Sequence, residues 1–313
     1  MKTVVIAIGG NSLIKDAKHQ SVPDQYAAVV ETVRHITDCL ERHYRVVITH
    51  GNGPQVGFIL LRSEHSRGLL HQVPLDSIVA DTQGALGYQL QQALENEFRR
   101  RGLKKSVATI ITQTLVDRSD PAFAKPSKPI GEFYTQAQAE ERMRIEKWTM
   151  VEDAGRGWRR VVASPKPVRI IEAEVVRHLV KDGYVVVTAG GGGIPVVADE
   201  AGLLSGVPAV IDKDLASAVL ARQIGADLLV ISTAIERVCL DFGKPGQRAL
   251  DSMTAAEAQK YAAAGHFAAG SMLPKVEACV HFVQGGGLAG VIASPAKLSQ
   301  AMEGAAGTRI TLQ

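Results

Sequence analysis

Three cysteines in 313 residues are too few and too scattered for a disulfide scaffold. Cys39, Cys239 and Cys279 also lack the CxxC or Cys/His spacing of a zinc or redox site. A reduced, cytoplasmic protein is the expectation. No stretch approaches the roughly 20 consecutive apolar residues that cross a bilayer, so no membrane partner is expected. The apolar residues 1–13 are interrupted by Gly9-Gly10-Asn11 and lack the basic flank and small-residue cleavage site of a signal peptide. They read as a buried strand. Charge of one sign is scarce too: 35 basic against 32 acidic residues leave a net +3, too little to single out nucleic acid. Two nucleotide motifs are missing as well. There is no G-x-x-x-x-G-K-[ST] phosphate loop, and Gly9-Gly10-Asn11 is not followed by G-x-G-x-x-G spacing. Any phosphate cradle must be built in another way.

What is present is apolar bulk in a regular pattern. With 46% hydrophobic residues, the chain can bury a large core without covalent staples. Short β-branched runs recur at 3–8, 45–49, 107–111, 184–188, 228–232 and 290–293, as suits strands covered on both faces. Between them lie helical patterns. Val29, Val33, Ile36 and Leu40 form one stripe within 24–42, and Leu86, Leu90, Leu94 and Phe98 repeat it within 77–101. Further helices are predicted over 172–181, 215–224 and 254–264, the last capped by Ser252. Strands alternating with helices imply an α/β fold: βαβ units and a mostly parallel sheet sandwiched by helices.

Residues 116–164 break the alternation. They are polar, proline-bearing and charged, without a buried-strand signature before 160–163. Structureless loops of this length are uncommon in compact domains unless functional, so an inserted lid subdomain is expected within a single 1–313 domain.

Glycines fall at informative places. Gly9-Gly10-Asn11 follows the first strand, Gly51-Asn52-Gly53-Pro54 the second, and Gly190 to Gly193 the strand near 184. Carboxyl ends of parallel strands are where open α/β sheets bind ligands, so the three turns suggest one crevice. Glycine lets backbone N–H groups approach an anion closely, and Pro54 suits the first position of a following helix.

A cleft that handles phosphate needs cations. A lone lysine is ordinarily a solvated surface side chain, but three have special settings. Lys213 sits between Asp212 and Asp214 where an apolar run gives way to a helix, Lys275 follows a glycine turn at another helix start, and Lys128 lies between Pro126 and Pro129. Asp214 could orient lysines or lie near metal-bound phosphates; its plainer role is a helix cap.

At these residues the sequence resembles the carbamate kinases of the amino-acid-kinase superfamily. The segments AIGGNSL, THGNGPQVG, DPAFAKPSKPIG, RRVVASPKP, GGGGIPV, VIDKDLASA, FGKPGQ and GHFAAGSMLPKVEA occur in that family's order along nearly the whole chain. The resemblance implies a three-layer αβα fold, a homodimer and reversible phosphoryl transfer between carbamoyl phosphate and ADP, with Mg2+ held by the nucleotide phosphates of ATP or ADP. It assigns Lys128, Lys213 and Lys275 as catalytic lysines organised by Asp214. Gly9, Gly10 and Asn11 would face the transferred phosphate. Gly51 and Asn52, with Gly190, Gly191 and Gly192, would surround the carbamate. ADP would lie over the carboxy-terminal half, from about 210 to 313, near Thr233, Phe242, Met272 and Lys275. A carbamate oxygen is already anionic, so neither His50 nor His266 is needed as a base.

Relatives that phosphorylate amino-acid carboxylates usually carry a lysine two residues before the first Gly-Gly. Here that residue is Ala7, and Lys128 from the insertion would supply the missing charge. Three departures from the resemblance are visible: Ser232-Thr233-Ala234-Ile235 replaces a frequent Thr-Asp-Val near the nucleotide, Ser12 a common alanine and Ser127 a common threonine. A kinase for another small carboxylate remains an alternative. So does a non-catalytic protein that binds nucleotide or carbamoyl phosphate. A nucleotide-dependent oxidoreductase is disfavoured by the missing dinucleotide fingerprint. The helix at 77–101 is a candidate dimer face, or packs on its own sheet.

Overall fold

The computed structural model describes every residue except 11, 12, 17 and 154. Eight strands form the central sheet in the order Ser252–Thr254, Thr308–Thr311, Ala289–Ala293, Leu228–Ser232, Thr3–Ile8, Arg45–His50, Val185–Val187, Val107–Thr109. Neighbours run parallel except for the pair Ala289–Ala293 and Thr308–Thr311. Side chains alternate across a strand. In Thr3–Ile8, accordingly, Val5 and Ala7 enter one core while Val4, Ile6 and Ile8 enter the other. This is why the strand reads as an unbroken apolar run. The helices Ala173–Lys181, Lys213–Gln223, Ala255–Ala263 and Met272–Gln284 cover the first face. Val22–Glu41, Leu75–Arg101 and Leu298–Met302 cover the second, giving three layers.

Element ends follow local chemistry. Ser21 and Asp24 form a reciprocal capping box that starts Val22–Glu41, with proline in its first turn. Leu75–Arg101 stops at Gly102, whose φ of 67° is left-handed. Its apolar stripe packs on its own sheet and on Val22–Glu41. The helix after Ser252 is capped by Thr254 instead, because Thr254 and Glu257 make a capping box while Ser252 pairs with Arg309 in the sheet. The strand expected over 107–111 ends at Thr109. Gln83 clamps both the N–H and the carbonyl of Thr112, at 2.8 and 3.0 Å, and turns the chain out of the sheet.

The chain then leaves and re-enters at one place. Gln113–Val116 and Pro167–Ile170 pair antiparallel within a small sheet completed by Ile194–Ala198 and Leu204–Gly206. Between them, residues 116–164 build an antiparallel sheet of Lys128–Tyr134, Trp158–Val162 and Thr149–Glu152, with the helix Gln136–Glu146. Two of these strands escaped the sequence reading because each buries a single apolar side chain, Ile130 or Met150. A small core of Val56, Leu60, Ile78, Ile130, Val162 and Val210 joins this unit to the body. The join is close at Gly57, where a Cβ would lie 3.4 Å from the Cα of Gly131.

Candidate active site

Three strand ends meet at one cleft of about 300 Å³. Gly10, Gly51, Asn52, Gly53 and Gly191 line it together with Lys128, Asp212, Lys213, Asp214 and Lys275. Its backbone half is built by close approach. A Cβ on Gly191 would come 2.1 Å from Asn52 Nδ2, and one on Gly190 would come 2.4 Å from His50 Nε2. Gly190 and Gly192 are buried within the turn, against His50 and Ile211, while Gly191 reaches the cleft wall. Gly9 packs on the carbonyl of Ser232, 3.3 Å from where a Cβ would stand. Asn11 lies outside the described residues. Pro54 is the second rather than the first residue of the helix Gly53–His65, whose N-cap is Asn52.

His50 is buried beneath this turn, and its Nδ1 lies 3.0 Å from the carbonyl of Gly51. Burial pushes the imidazole down to about 4, and the nearby Lys213 ammonium acts in the same sense. At neutral pH it is uncharged, with Nδ1–H donating to Gly51.

The cationic half comes from three separate segments. Lys213 is the first residue of Lys213–Gln223, and the cap is Asp212, whose Oδ1 accepts the N–H groups of Asp214 and Leu215 at 2.9 and 3.4 Å. Asp214, 3% exposed, holds two lysines on its two oxygens: Lys213 Nζ on Oδ1, and Lys275 Nζ at 2.9 Å on Oδ2. Burial alone would raise the Asp214 carboxyl, but the two ammonium groups outweigh it and keep it below the usual carboxylate value. Asp214 therefore holds two lysines, and the helix cap is Asp212. Lys128 arrives from the inserted unit, its Nζ 3.1 Å from Asp212 Oδ2.

Asp212 was missed as a site residue by sequence reasoning. The signal was its position as an acid directly before a helix start, which names it a cap but not an anchor for a lysine 84 residues away. The lining side chains bring three ammonium groups and two carboxylates, one net positive charge. All four carboxylate oxygens are already committed to lysines or to the helix end. The donor set therefore does not suit a resident divalent ion.

Thr233, Phe242, Met272 and Lys275 line a second, more apolar cavity of about 180 Å³, with Ile235, Phe267 and His266. Ser271 and Lys275 line both cavities, so the two adjoin. His266 Nδ1 faces Asp241 Oδ1 at 3.2 Å. Larger cavities of about 540 and 670 Å³ lie against Arg222 and Trp148, but neither gathers strand-end glycine turns around lysines.

Fold and site together define a three-layer α/β protein with a glycine-lined, cationic cleft beside a more apolar pocket. The chain belongs to the amino acid kinase family, whose model matches residues 2–294. It is 51% identical over 310 residues to the carbamate kinase-like protein YahI of Escherichia coli (strain K12), covering 98% of each chain. It is 48% identical over 315 residues to a carbamate kinase of Clostridium perfringens (strain 13 / Type A), covering 98% of this chain and 99% of that one. The solved carbamate kinase of Giardia lamblia bound to AMP-PNP superposes with a TM-score of 0.93 at 41% identity, over 99% of this chain and 98% of that one.

Proposed function

We propose that the protein is a carbamate kinase, transferring a phosphoryl group reversibly between carbamoyl phosphate and ADP. The observation that carries this is the convergence of Lys128, Lys213 and Lys275 on the glycine-lined cleft, next to an adjoining, more apolar cavity. Relatives and solved neighbours named as carbamate kinases support it.

In the ATP-forming direction, a β-phosphate oxygen of ADP attacks phosphorus, the bond from phosphorus to the carbamoyl oxygen breaks, and carbamate leaves as an anion. Both partners are negative, so the barrier is lowered chiefly by holding them in line and spreading their charge. Lys213 and Lys275, fixed by one buried carboxylate, are preorganised for that. Gly10 would offer backbone to the transferred group, and Gly51, Asn52 and Gly191 would bound the carbamate side. Thr233, Phe242 and Met272 would flank the nucleoside, which assigns ADP to the carboxy-terminal half.

No protein base is required, because the carbamate oxygen carries no proton; His50 is uncharged and bonded to Gly51. Magnesium would travel with the nucleotide phosphates, since the carboxylates of the cleft are engaged. Ala7 is fully buried in the central strand, and Lys128 from the inserted unit would provide the cation absent there. The unit at 116–164 then acts as a lid that delivers Lys128 and excludes water. A cytoplasmic homodimer completes the proposal. Supplying carbamoyl phosphate and MgADP and measuring ATP tests it; no ATP above the uncatalysed background would refute it.

A further inference from the structure

The orientation of the Asn52 amide is decided by its neighbours. Asn52 Nδ2 donates to Thr82 Oγ1 at 2.8 Å, and Thr82 Oγ1 donates to the carbonyl of Val79 at 2.7 Å. A hydroxyl has one hydrogen. With it committed to Val79, Thr82 accepts from Asn52, so the amide must present its NH2 there. The reverse orientation would set two oxygens against each other with no proton between them. Thr82 is fully buried and Asn52 is 9% exposed, wedged on Gly191. Asn52 lines the cleft, and with Nδ2 fixed on Thr82 its Oδ1 is the acceptor left on that side chain.

Of the other side chains there, only the Ser271 hydroxyl can also accept, and it can equally donate, so it does not by itself tell an amino group from an acceptor. The lysine ammonium groups only donate, and Asp212 and Asp214 are engaged with them. What distinguishes carbamoyl phosphate from an acyl phosphate such as acetyl phosphate is an amino group in place of a methyl of similar size. Resting on the carbamate kinase reading, we propose that Asn52 Oδ1 accepts an N–H of the carbamoyl group. Thr82 is then the positioning residue that holds the amide for it, and the pair selects carbamoyl over acyl phosphates. A methyl group in this position would leave the oxygen desolvated without a partner, which is how a site rejects an analogue lacking one N–H.

The experiment measures, for wild type, Thr82→Val and Thr82→Ser, the KM for carbamoyl phosphate and the inhibition constant of acetyl phosphate, in ATP formation from MgADP. Valine keeps the shape of threonine but cannot accept a hydrogen bond, whereas serine can. The valine variant should raise the KM about tenfold with the acetyl phosphate constant unchanged or lower, and serine should restore the wild-type ratio. A KM and inhibition constant that rise together, or that do not move, overturn the proposal by assigning Thr82 a merely structural role. Should Thr82→Val not fold, Asn52→Leu reads the same ratio: lost discrimination supports the assignment and retained discrimination overturns it. Failure of the wild type itself to make ATP would instead overturn the underlying carbamate kinase reading.

Discussion

Lys128 Nζ lies 3.1 Å from Asp212 Oδ2, so a lysine carried by the inserted unit is tethered to the cap of the helix that begins with Lys213. The lysine side chain is 40% exposed and the aspartate 18%. A pair this open adds little stability, about 0–1 kcal/mol. Its effect is placement: it sets the inserted unit's cation beside the two lysines held by Asp214.

Asp212→Asn separates the two jobs of this residue. Asparagine caps helices about as well as aspartate, so thermal stability should change by less than about 1 kcal/mol. Without its charge, Lys128 loses its anchor and kcat should fall about tenfold, the scale of one charge-assisted contact. A kcat equal to wild type would show that the tether has no catalytic consequence.

Lys213→Ala and Lys128→Ala should each reduce the rate by about two to three orders of magnitude while the protein stays folded, as expected on removing a preorganised charge contact. Lys104, exposed and far along the chain from either, is the control and its alanine variant should match wild type. Steady-state kinetics with circular dichroism as the folding check decide this.

Phe242 is 65% exposed at the mouth of the second cavity. Phe242→Ala should raise the KM for ADP several-fold, through loss of stacking on the base, without moving the KM for carbamoyl phosphate. If both constants shift equally, the assignment of the two cavities is wrong.

His50 makes stability depend on pH. Folding holds its imidazole at about 4 against an ordinary 6.5, so between those values the unfolded chain binds a proton that the folded chain refuses. Its contribution is complete above about pH 6.5 and declines as pH falls toward 4, by up to about 3 kcal/mol. Asp214 acts in a lower window. Its carboxyl is held down, so its contribution is present above the ordinary carboxylate value and disappears on further acidification. Urea midpoints taken from pH 7 to 4.5 should slope more steeply for wild type than for His50→Gln, and identical slopes would count against a buried neutral imidazole.

The layered fold was readable because its strands are covered on both faces: Val4 through Ile8 and Leu228 through Ile231 are apolar whichever side they meet. The strands of the inserted unit were hidden for the opposite reason. Lys128–Tyr134 and Thr149–Glu152 each bury one side chain and leave the others partly or wholly exposed, so neither alternation nor an apolar run marks them. In the site, Gly10, Gly51, Gly53 and Gly191 announced themselves by following strands. The lysines were picked out by neighbouring prolines, glycines and acids. What no local pattern could reveal was partnership. That Asp214 serves Lys275 across 61 residues, that Asp212 serves Lys128, and that Thr82 aligns Asn52 are products of the tertiary fold.

Transfer of phosphate from carbamoyl phosphate to ADP in this cationic cleft is the expected reaction. Luminescent detection of ATP after mixing purified protein with carbamoyl phosphate and MgADP tests it most directly. ATP should form well above the uncatalysed rate, and formation should be nearly abolished in Lys213→Ala. ATP at background, or formed equally by that variant, would contradict it.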